Sequence, residues 1–196
     1  VQAGTGTGKS LAYLVPAVLS EKPTIVATAT KALQDQLAGK DLPFLAEQLD
    51  APFTFAVLKG RSNYLCLQRL DELEATDTLD LDLDDDDDDR NSATIDSDTL
   101  DELKAFAATS ATGDRAELET VNDRVWRMVS VGRDECPGAG RCPRGDDCLA
   151  EKARAKAAAA DLLVVNLHLY ALAVTVDAIL PEHDVVMIDE AHQLED

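Results

Sequence analysis

Apolar residues recur along the chain with two different periods. Near the beginning they recur at helical spacing, at Leu11, Leu14, Val15, Val18 and Leu19. Four nearly continuous apolar runs instead predict buried strands: PTIVATA (23–29), FTFAV (53–57), DLLVVN (161–166) and HDVVMID (183–189). A more polar stretch, from Lys31 to about Leu49, predicts a second helix. Buried strands that alternate with helices indicate an α/β fold whose parallel sheet is covered on both faces.

Residues 59–160 differ in character from the rest of the chain. They contain Cys66, an acidic segment, two helical stretches and a group of three further cysteines. We therefore predict that 59–160 is an insertion into an α/β domain formed by residues 1–58 and 161–196.

The most apolar stretch, residues 162–180, approaches the length of a transmembrane helix. Polar side chains interrupt it at Asn166, His168 and Asp177, so it divides better into a strand and a helix. We predict no membrane span. The chain begins at Val1 inside a motif and without a methionine, which indicates a fragment cut at both ends.

The net charge of −20 is concentrated in one part of the chain. Residues 71–119 contain 19 acidic and 3 basic residues, with DLDLDDDDDDR (80–90) at their centre. Few apolar side chains and mutual repulsion between aspartates predict a disordered, solvated loop at about 76–99. Calcium binding is the alternative, but the segment lacks the ligand spacing of an EF-hand. Residues 124–156 carry 8 basic and 5 acidic residues, so the acidity is local and does not exclude nucleic acid as a partner.

The segment AGTGTGKS (3–10) has the pattern of a phosphate-binding loop. Its glycines let backbone N–H groups point at phosphate oxygens, and the following helix adds its positive end. Lys9 is expected to reach the β and γ phosphates, and the Ser10 hydroxyl to bind Mg²⁺. An ordinary glycine-rich turn is the alternative. The predicted nucleotide-binding residues are Ala3, Gly4, Thr5, Gly6, Thr7, Gly8, Lys9 and Ser10.

A second motif, VVMIDEAH (185–192), supports the prediction that residues 3–10 bind phosphate. An apolar strand delivers Asp189 and Glu190 to its carboxyl end, where open α/β sheets bind their ligands. Asp189 is expected to hold Mg²⁺, and Glu190 to orient and deprotonate the attacking water. Together with Lys9, these two acids predict an ATPase, because chance pairing of both motifs in one chain is a poor explanation.

The chain has four cysteines, three of which are evenly spaced at Cys136, Cys142 and Cys148. Disulfides do not suit an ATPase that works in a reducing cytosol. Structural zinc sites usually contain close cysteine pairs, and this chain has none. Cys-Pro, which also occurs in ferredoxin cluster runs, appears twice. Spacing alone leaves both zinc and an iron-sulfur cluster open and favours the cluster.

The motifs together resemble a known family. Asp-Glu-Ala-His at 189–192, behind a loop whose first glycine is replaced by Ala3, resembles superfamily two helicases of the DEAH type. ATATKALQDQL (27–37) is similar to the next motif of that superfamily, in which Thr and Gln residues contact single-stranded backbone. LKGRSNYLC (58–66), the spaced cysteines and ADLLVVNLHLYA (160–171) are similar to the iron-sulfur helicases of the DinG and XPD type, bacterial DinG-like members above all.

This resemblance implies a RecA-like P-loop domain with a helical iron-sulfur insertion, the first motor domain of an ATP-dependent DNA helicase. The implied cofactors are ATP, Mg²⁺ and a 4Fe-4S cluster, with His192 added to the nucleotide site. Single-stranded DNA or a forked duplex is the implied partner, and the cytoplasm the implied location. Without a second motor domain, residues 1–196 alone are expected to be inactive. The implied cluster ligands are Cys66, Cys136, Cys142 and Cys148.

Two other functions stay open from the sequence. One is a nucleic-acid-binding redox sensor whose cluster is the functional centre, but such a sensor has no need of Glu190. The other is a P-loop ATPase that remodels complexes without unwinding. Basic residues near the cysteines are either ordinary surface charges or contacts to a nucleic acid backbone.

Overall fold

A computed structural model describes residues 8–80, 95–118, 120–175 and 180–191. Within these residues the chain divides into two units, one formed by residues 1–59 with 153–196 and the other by residues 60–152. The predicted insertion, 59–160, extends past the second unit, because residues 153–160 group with the first.

The first unit is built on a parallel sheet. In chain order its elements are α1 (Lys9–Leu19), β1 (Thr24–Thr28), α2 (Lys31–Gln36), a π-helical turn (Leu37–Asp41), α3 (Leu42–Gln48), β2 (Phe55–Val57), β3 (Leu162–Asn166), α8 (Leu167–Thr175) and β4 (Val185–Ile188). The strand order is β2-β3-β1-β4. All pairs are parallel, with Thr24 opposite both Leu162 and Val185 in register. The predicted α/β fold and its four strands are confirmed.

Side chains of the central strands alternate between two apolar clusters, one on each face of the sheet. On one face Ile25 and Leu163 pack with Leu167 of α8. On the other face Val26 and Val164 pack with helical residues that include Leu14 of α1. Both central strands are therefore buried on both faces, which explains their nearly continuous apolar sequence.

The helical segment after β1 begins where predicted. The side chain of Thr30 accepts a hydrogen bond from the N–H of Leu33 at 3.2 Å, which caps α2. The π-helical turn that follows was not predicted. Its residues Leu37 and Asp41 are buried, and Asp41 accepts a hydrogen bond from Gln36 at 3.1 Å.

The second unit is mainly helical and has its own core. Its main helices are α4 (Leu67–Asp80), α5 (Ser97–Thr109), α6 (Asp123–Met128) and the start of α7 (Leu149–Ala158). Leu103, Trp126 and Val129 are at most 2% exposed and belong to one apolar cluster. The indole N–H of Trp126 donates to the carbonyl oxygen of Ser62 at 2.8 Å, so this tryptophan is a core residue whose polar atom is satisfied.

Helices occupy both ends of the acidic segment predicted to be disordered. That segment covers about 76–99, whereas α4 ends at Asp80 and α5 begins at Ser97. Asp96 caps α5 by accepting from the N–H of Thr99 at 2.9 Å. Residues 81–94 lie outside the described residues. In the part of the chain that the structure describes, no helix is long and apolar enough to cross a membrane.

Candidate functional site

Two charged segments meet at the carboxyl edge of the parallel sheet. Lys9 and Ser10 form the first turn of α1, which Gly8 precedes in a left-handed conformation with φ 76°. Asp189 and Glu190 follow β4 directly, and the N–H of Asp189 still donates to Ala27 of β1 at 2.9 Å. Asp189 is therefore held in register with the central strand beside it.

Lys9 and Glu190 form an ion pair across this edge. The Nζ of Lys9 lies 3.0 Å from Oε1 of Glu190, and the two side chains are 31% and 34% exposed. Glu190 has a φ of 55°, a left-handed conformation that costs a non-glycine residue about 1–3 kcal/mol and is common at functional sites. The two groups predicted to bind phosphate and to activate water thus contact each other directly.

Asp189 has a fixed orientation because both of its oxygens accept hydrogen bonds. Oδ1 accepts from the N–H of Glu190 at 2.9 Å, and Oδ2 accepts from the hydroxyl of Tyr13 at 3.0 Å. The sequence analysis missed Tyr13. Its position three residues after Ser10 on one helix face is the signal that could have found it.

The Tyr13 hydroxyl has a strongly raised pKa. Burial is the largest cause, and the charge of Asp189 and its hydrogen bond act in the same direction. The charge of Asp41 adds to this, while a hydrogen bond with Ser10 acts in the opposite direction. Tyr13 therefore lies near both predicted magnesium ligands and is a neutral hydrogen-bond donor at ordinary pH.

Several predicted nucleotide-binding residues lie outside the described part of the chain. Of the loop, the structure describes only its last three residues, Gly8, Lys9 and Ser10. The assignments of the other residues stay predictions; these residues are Ala3, Gly4, Thr5, Gly6, Thr7 and His192.

The motif predicted to contact single-stranded DNA is only partly accessible. Thr28 and Gln34 are 0% exposed, and the side-chain amide of Gln34 has no hydrogen-bond partner in the structure. Thr30 and Gln36 are exposed. If this segment contacts a nucleic acid backbone in this conformation, Thr30 and Gln36 are the Thr and Gln side chains that can do so.

In the second unit, Cys66, Cys136, Cys142 and Cys148 all line a single cavity. The empty space in and around this cavity, open solvent at its mouth included, is about 410 Å³. All four cysteines named from the sequence, including the distant Cys66, thus line one cavity. Within the described residues, no three His, Cys, Asp or Glu side chains form a group that could hold a single metal ion.

Turns and backbone hydrogen bonds set the positions of these cysteines. Cys66 precedes α4, and its N–H donates to the carbonyl oxygen of Val129 at 2.8 Å. The N–H of Gly145 donates to Cys142 at 2.9 Å, and the N–H of Cys148 donates to Gly145 at 3.2 Å. A Cβ at Gly145 would overlap the carbonyl oxygen of Ala139, so the turn between Cys142 and Cys148 requires glycine.

Two arginines also line the cysteine cavity, Arg61 and Arg144. Arg61 donates to the Sγ of Cys148 at 3.8 Å and forms an ion pair with Glu151. The Nε of Arg144 is buried without a hydrogen-bond partner in the structure, while its Nη1 lies 3.6 Å from Asp71. The cavity therefore combines four thiols with positive charge. Arg144 is one of the basic residues for which the sequence left open a surface charge or a nucleic acid contact, and Arg61 was given no role from the sequence.

The titration of these groups follows from their surroundings. Burial raises the pKa of the Cys66 thiol, and the nearby Cys142 and Cys148 add to the increase. Burial acts to lower the pKa of Arg61, but its hydrogen bond to Glu151 and the charges of Cys136 and Cys148 raise it overall. Arg61 is thus a permanent cation next to the cysteines.

Comparison with known proteins adds relatives over the whole chain, although no protein-family model matches it. The chain is 45% identical over its full length to the ATP-dependent helicase DinG of Mycobacterium tuberculosis, of which it covers 31%. It is 41% identical over its full length to the ATP-dependent DNA helicase YoaA of Escherichia coli, of which it covers 30%. It is 30% identical to the 3'-5' exonuclease DinG of Bacillus subtilis, of which it covers 20%. The chain spans about a third or less of the length of these relatives. Over its full length the chain is therefore similar to part of the DinG and YoaA ATP-dependent helicases.

Proposed function

We propose that the chain is the first motor domain, with an iron-sulfur insertion, of an ATP-dependent DNA helicase. The observation that carries this proposal is the meeting of Lys9 with Asp189 and Glu190 at the carboxyl edge of a parallel sheet. A four-stranded parallel sheet fits a RecA-like domain. The names of the relatives, ATP-dependent helicase DinG and ATP-dependent DNA helicase YoaA, supply the substrate class.

Each charged residue at this edge has a role in ATP hydrolysis under this proposal. Lys9 exchanges the carboxylate of Glu190 for the β and γ phosphates of ATP, which frees Glu190 to accept a proton from the attacking water. The Ser10 hydroxyl and the Asp189 carboxylate hold Mg²⁺. When bound, Mg²⁺ offsets the negative charge that develops on the transferred phosphoryl group.

Strand displacement tests the helicase proposal most simply. The intact protein, purified without oxygen, is expected to separate a forked DNA duplex with ATP and not without it. Glu190→Gln is expected to abolish separation while leaving ATP binding in place. ATP hydrolysis without strand separation on any forked or tailed duplex would favour a remodelling ATPase instead.

We propose further that the cysteine cavity holds a 4Fe-4S cluster. Four thiolates are the usual ligand set of such a cluster, and all four cysteines of the chain line the same cavity. Two arginines would add hydrogen-bond donors to this site. Arg61 donates to the Sγ of Cys148, and the Nε of Arg144 is buried without a partner in the structure. N–H groups that donate to cluster sulfurs are a common feature of iron-sulfur sites. The cluster would supply one-electron chemistry, and the residues of the cavity would bind it and shield it from water.

Iron and acid-labile sulfide analysis tests the cluster. The intact protein, purified without oxygen, is expected to contain about four irons and four sulfides per chain. Cys142→Ser is expected to remove both, whereas nucleotide binding is expected to persist. Stoichiometric zinc without sulfide contradicts the cluster and leaves the ATPase proposal intact. A redox sensor, in turn, would keep its DNA binding and lose no function when Glu190 is replaced by Gln.

A further inference from the structure

Tyr13 connects the apolar interior of the first unit to its charged edge. The residue lies one helical turn after Lys9 on α1, and its ring packs against the apolar cluster that contains Leu14 and Val26. Its hydroxyl donates to Oδ2 of Asp189 at 3.0 Å, although the two residues are 176 positions apart in sequence. A side chain anchored in the core therefore holds one oxygen of the carboxylate that is predicted to bind Mg²⁺.

The hydrogen bonds of Asp189 do not use all of the acceptor sites on its carboxylate. Oδ1 accepts the N–H of Glu190 at 2.9 Å and Oδ2 accepts the hydroxyl of Tyr13 at 3.0 Å. A carboxylate has about four lone-pair sites on its two oxygens. The two bonds thus fix the rotation of the carboxylate and still leave acceptor sites for a cation or for its bound water.

The geometry points to Tyr13 as a positioning residue that holds the Asp189 carboxylate in the orientation in which it would bind Mg²⁺. This inference rests on the proposed ATP site and names a residue that the P-loop and DEAH motifs do not contain. Residues outside the metal's own ligand set that hold those ligands typically contribute about 10- to 100-fold in metal affinity.

The alternative is that Tyr13 only fills space between α1 and the core. The two roles belong to different atoms, since packing depends on the ring and positioning depends on the hydroxyl. Tyr13→Phe removes a single oxygen and keeps the ring, so it separates them. Tyr170→Phe is the matched control, because Tyr170 packs against the other face of the sheet. Its ring centroid lies 6.3 Å from that of His183, edge to face.

The test measures how strongly Mg²⁺ tightens nucleotide binding. The Kd of a fluorescent ADP, labelled with an N-methylanthraniloyl group, is measured for the intact protein in saturating Mg²⁺ and again in EDTA. The ratio of the two values reports the coupling between metal and nucleotide without any contribution from catalysis. Tyr13→Phe is expected to lower this ratio about tenfold and to leave the Kd in EDTA unchanged. Tyr170→Phe should keep the wild-type ratio, and Asp189→Asn should lose most of it.

Three results overturn the inference, and they are distinguishable. If Tyr13→Phe keeps the wild-type ratio while Asp189→Asn loses it, Tyr13 has no positioning role and the proposed ATP site stands. If Tyr13→Phe weakens binding equally in Mg²⁺ and EDTA, its role is packing. If the wild-type protein binds the nucleotide no better with Mg²⁺ than without it, both the inference and the proposed function fail.

Discussion

The two units of this chain hold their candidate functional side chains in different ways. In the first, Lys9, Asp189 and Glu190 stand at the ends of a helix and a strand, next to a sheet that is buried on both faces. In the second, the cysteines line a cavity and occupy turns and short segments, where bonds such as Cys66 N–H to Val129 set their positions.

Because of this difference, we expect substitutions to act through the side chain alone in the first unit and through the backbone as well in the second. Regular elements packed in a core keep their geometry when one exposed charge is removed. Substitutions at the carboxyl edge of the sheet should therefore alter nucleotide binding and leave the fold intact. The cysteine turns have less support from regular structure. Changes that move their backbone should therefore reduce stability and cluster binding together.

Among changes in binding and stability, the largest effect is expected when Lys9 is replaced by alanine. A hydrogen bond to a charged group contributes about 1.5–3 kcal/mol, so Lys9→Ala in the intact protein should weaken ATP binding by about 10- to 100-fold. Equilibrium binding of ATP measures this, with the exposed Lys22→Ala as the control. Equal affinities for both variants would remove Lys9 from the nucleotide site.

Loss of the arginine beside Cys148 is expected to weaken cluster binding. Arg61 has a side chain only 13% exposed and an ion pair with Glu151, so it contributes a fixed positive charge next to the thiolates. Arg61→Gln should lower the iron retained after gel filtration by about tenfold. Arg69→Gln is the control, because Arg69 pairs with Glu72 at the surface. Full iron retention in Arg61→Gln would show that the cysteines do not need the charge of Arg61.

Gly145→Ala tests how strongly the cysteine turn depends on its backbone. The added Cβ would overlap Ala139, and forced overlap of this kind typically costs about 1–3 kcal/mol. Gly140→Ala is the matched control in the same segment, since a Cβ there meets nothing within 4 Å. Urea denaturation compares the two. Similar free energies of unfolding for both variants would mean that the turn adjusts freely.

The smallest effect is expected in the first unit, at Asp161. Its carboxylate accepts two hydrogen bonds from Thr54, each 2.7 Å long, at the start of the paired strands β2 and β3. The backbone hydrogen bond from Thr54 and then its side-chain hydrogen bond lower the pKa of Asp161. The stabilisation is therefore present above the unfolded pKa, about 3.9, and is lost as the pH falls through the lower folded pKa.

Asp161→Asn should then cost about 1 kcal/mol at pH 7, because the site is exposed to solvent. The difference from wild type should shrink below about pH 3. Urea denaturation at several pH values measures it, with the exposed Asp50→Asn as the control. A cost that is the same at every pH would mean that the ionised carboxylate is not what matters.

The fold of the first unit could be predicted because the apolar runs of its sequence coincide with the strands that are buried in the structure. PTIVATA and DLLVVN read as buried strands, and β1 and β3 are indeed buried along nearly all of their length. The π-helical turn at Leu37–Asp41 was not predicted, because its only trace in the sequence is one extra residue in the apolar spacing, between the buried Leu37 and Leu42.

Only those site residues that belong to short sequence motifs could be predicted. Lys9 and Glu190 belong to short motifs whose chemistry requires them, and the structure brings them to 3.0 Å of each other. Tyr13 and Arg61 contact partners 176 and 87 residues away. Such long-range pairs leave little local signal. The spacing of Tyr13 from Ser10 is the one trace, and an arginine in a loop is common in any protein.

Steady-state ATP hydrolysis by the intact protein, with and without single-stranded DNA, tests the central claim most directly. We expect DNA to stimulate turnover, and Glu190→Gln to lower the stimulated rate by about 10²- to 10⁴-fold, the usual contribution of a general base. Glu182→Gln, an exposed acid shortly before β4, should retain the wild-type rate. If Glu190→Gln instead hydrolyses ATP at the wild-type rate, or if no DNA-stimulated turnover exists, the carboxyl edge of this sheet is not the site of a DNA-dependent ATPase.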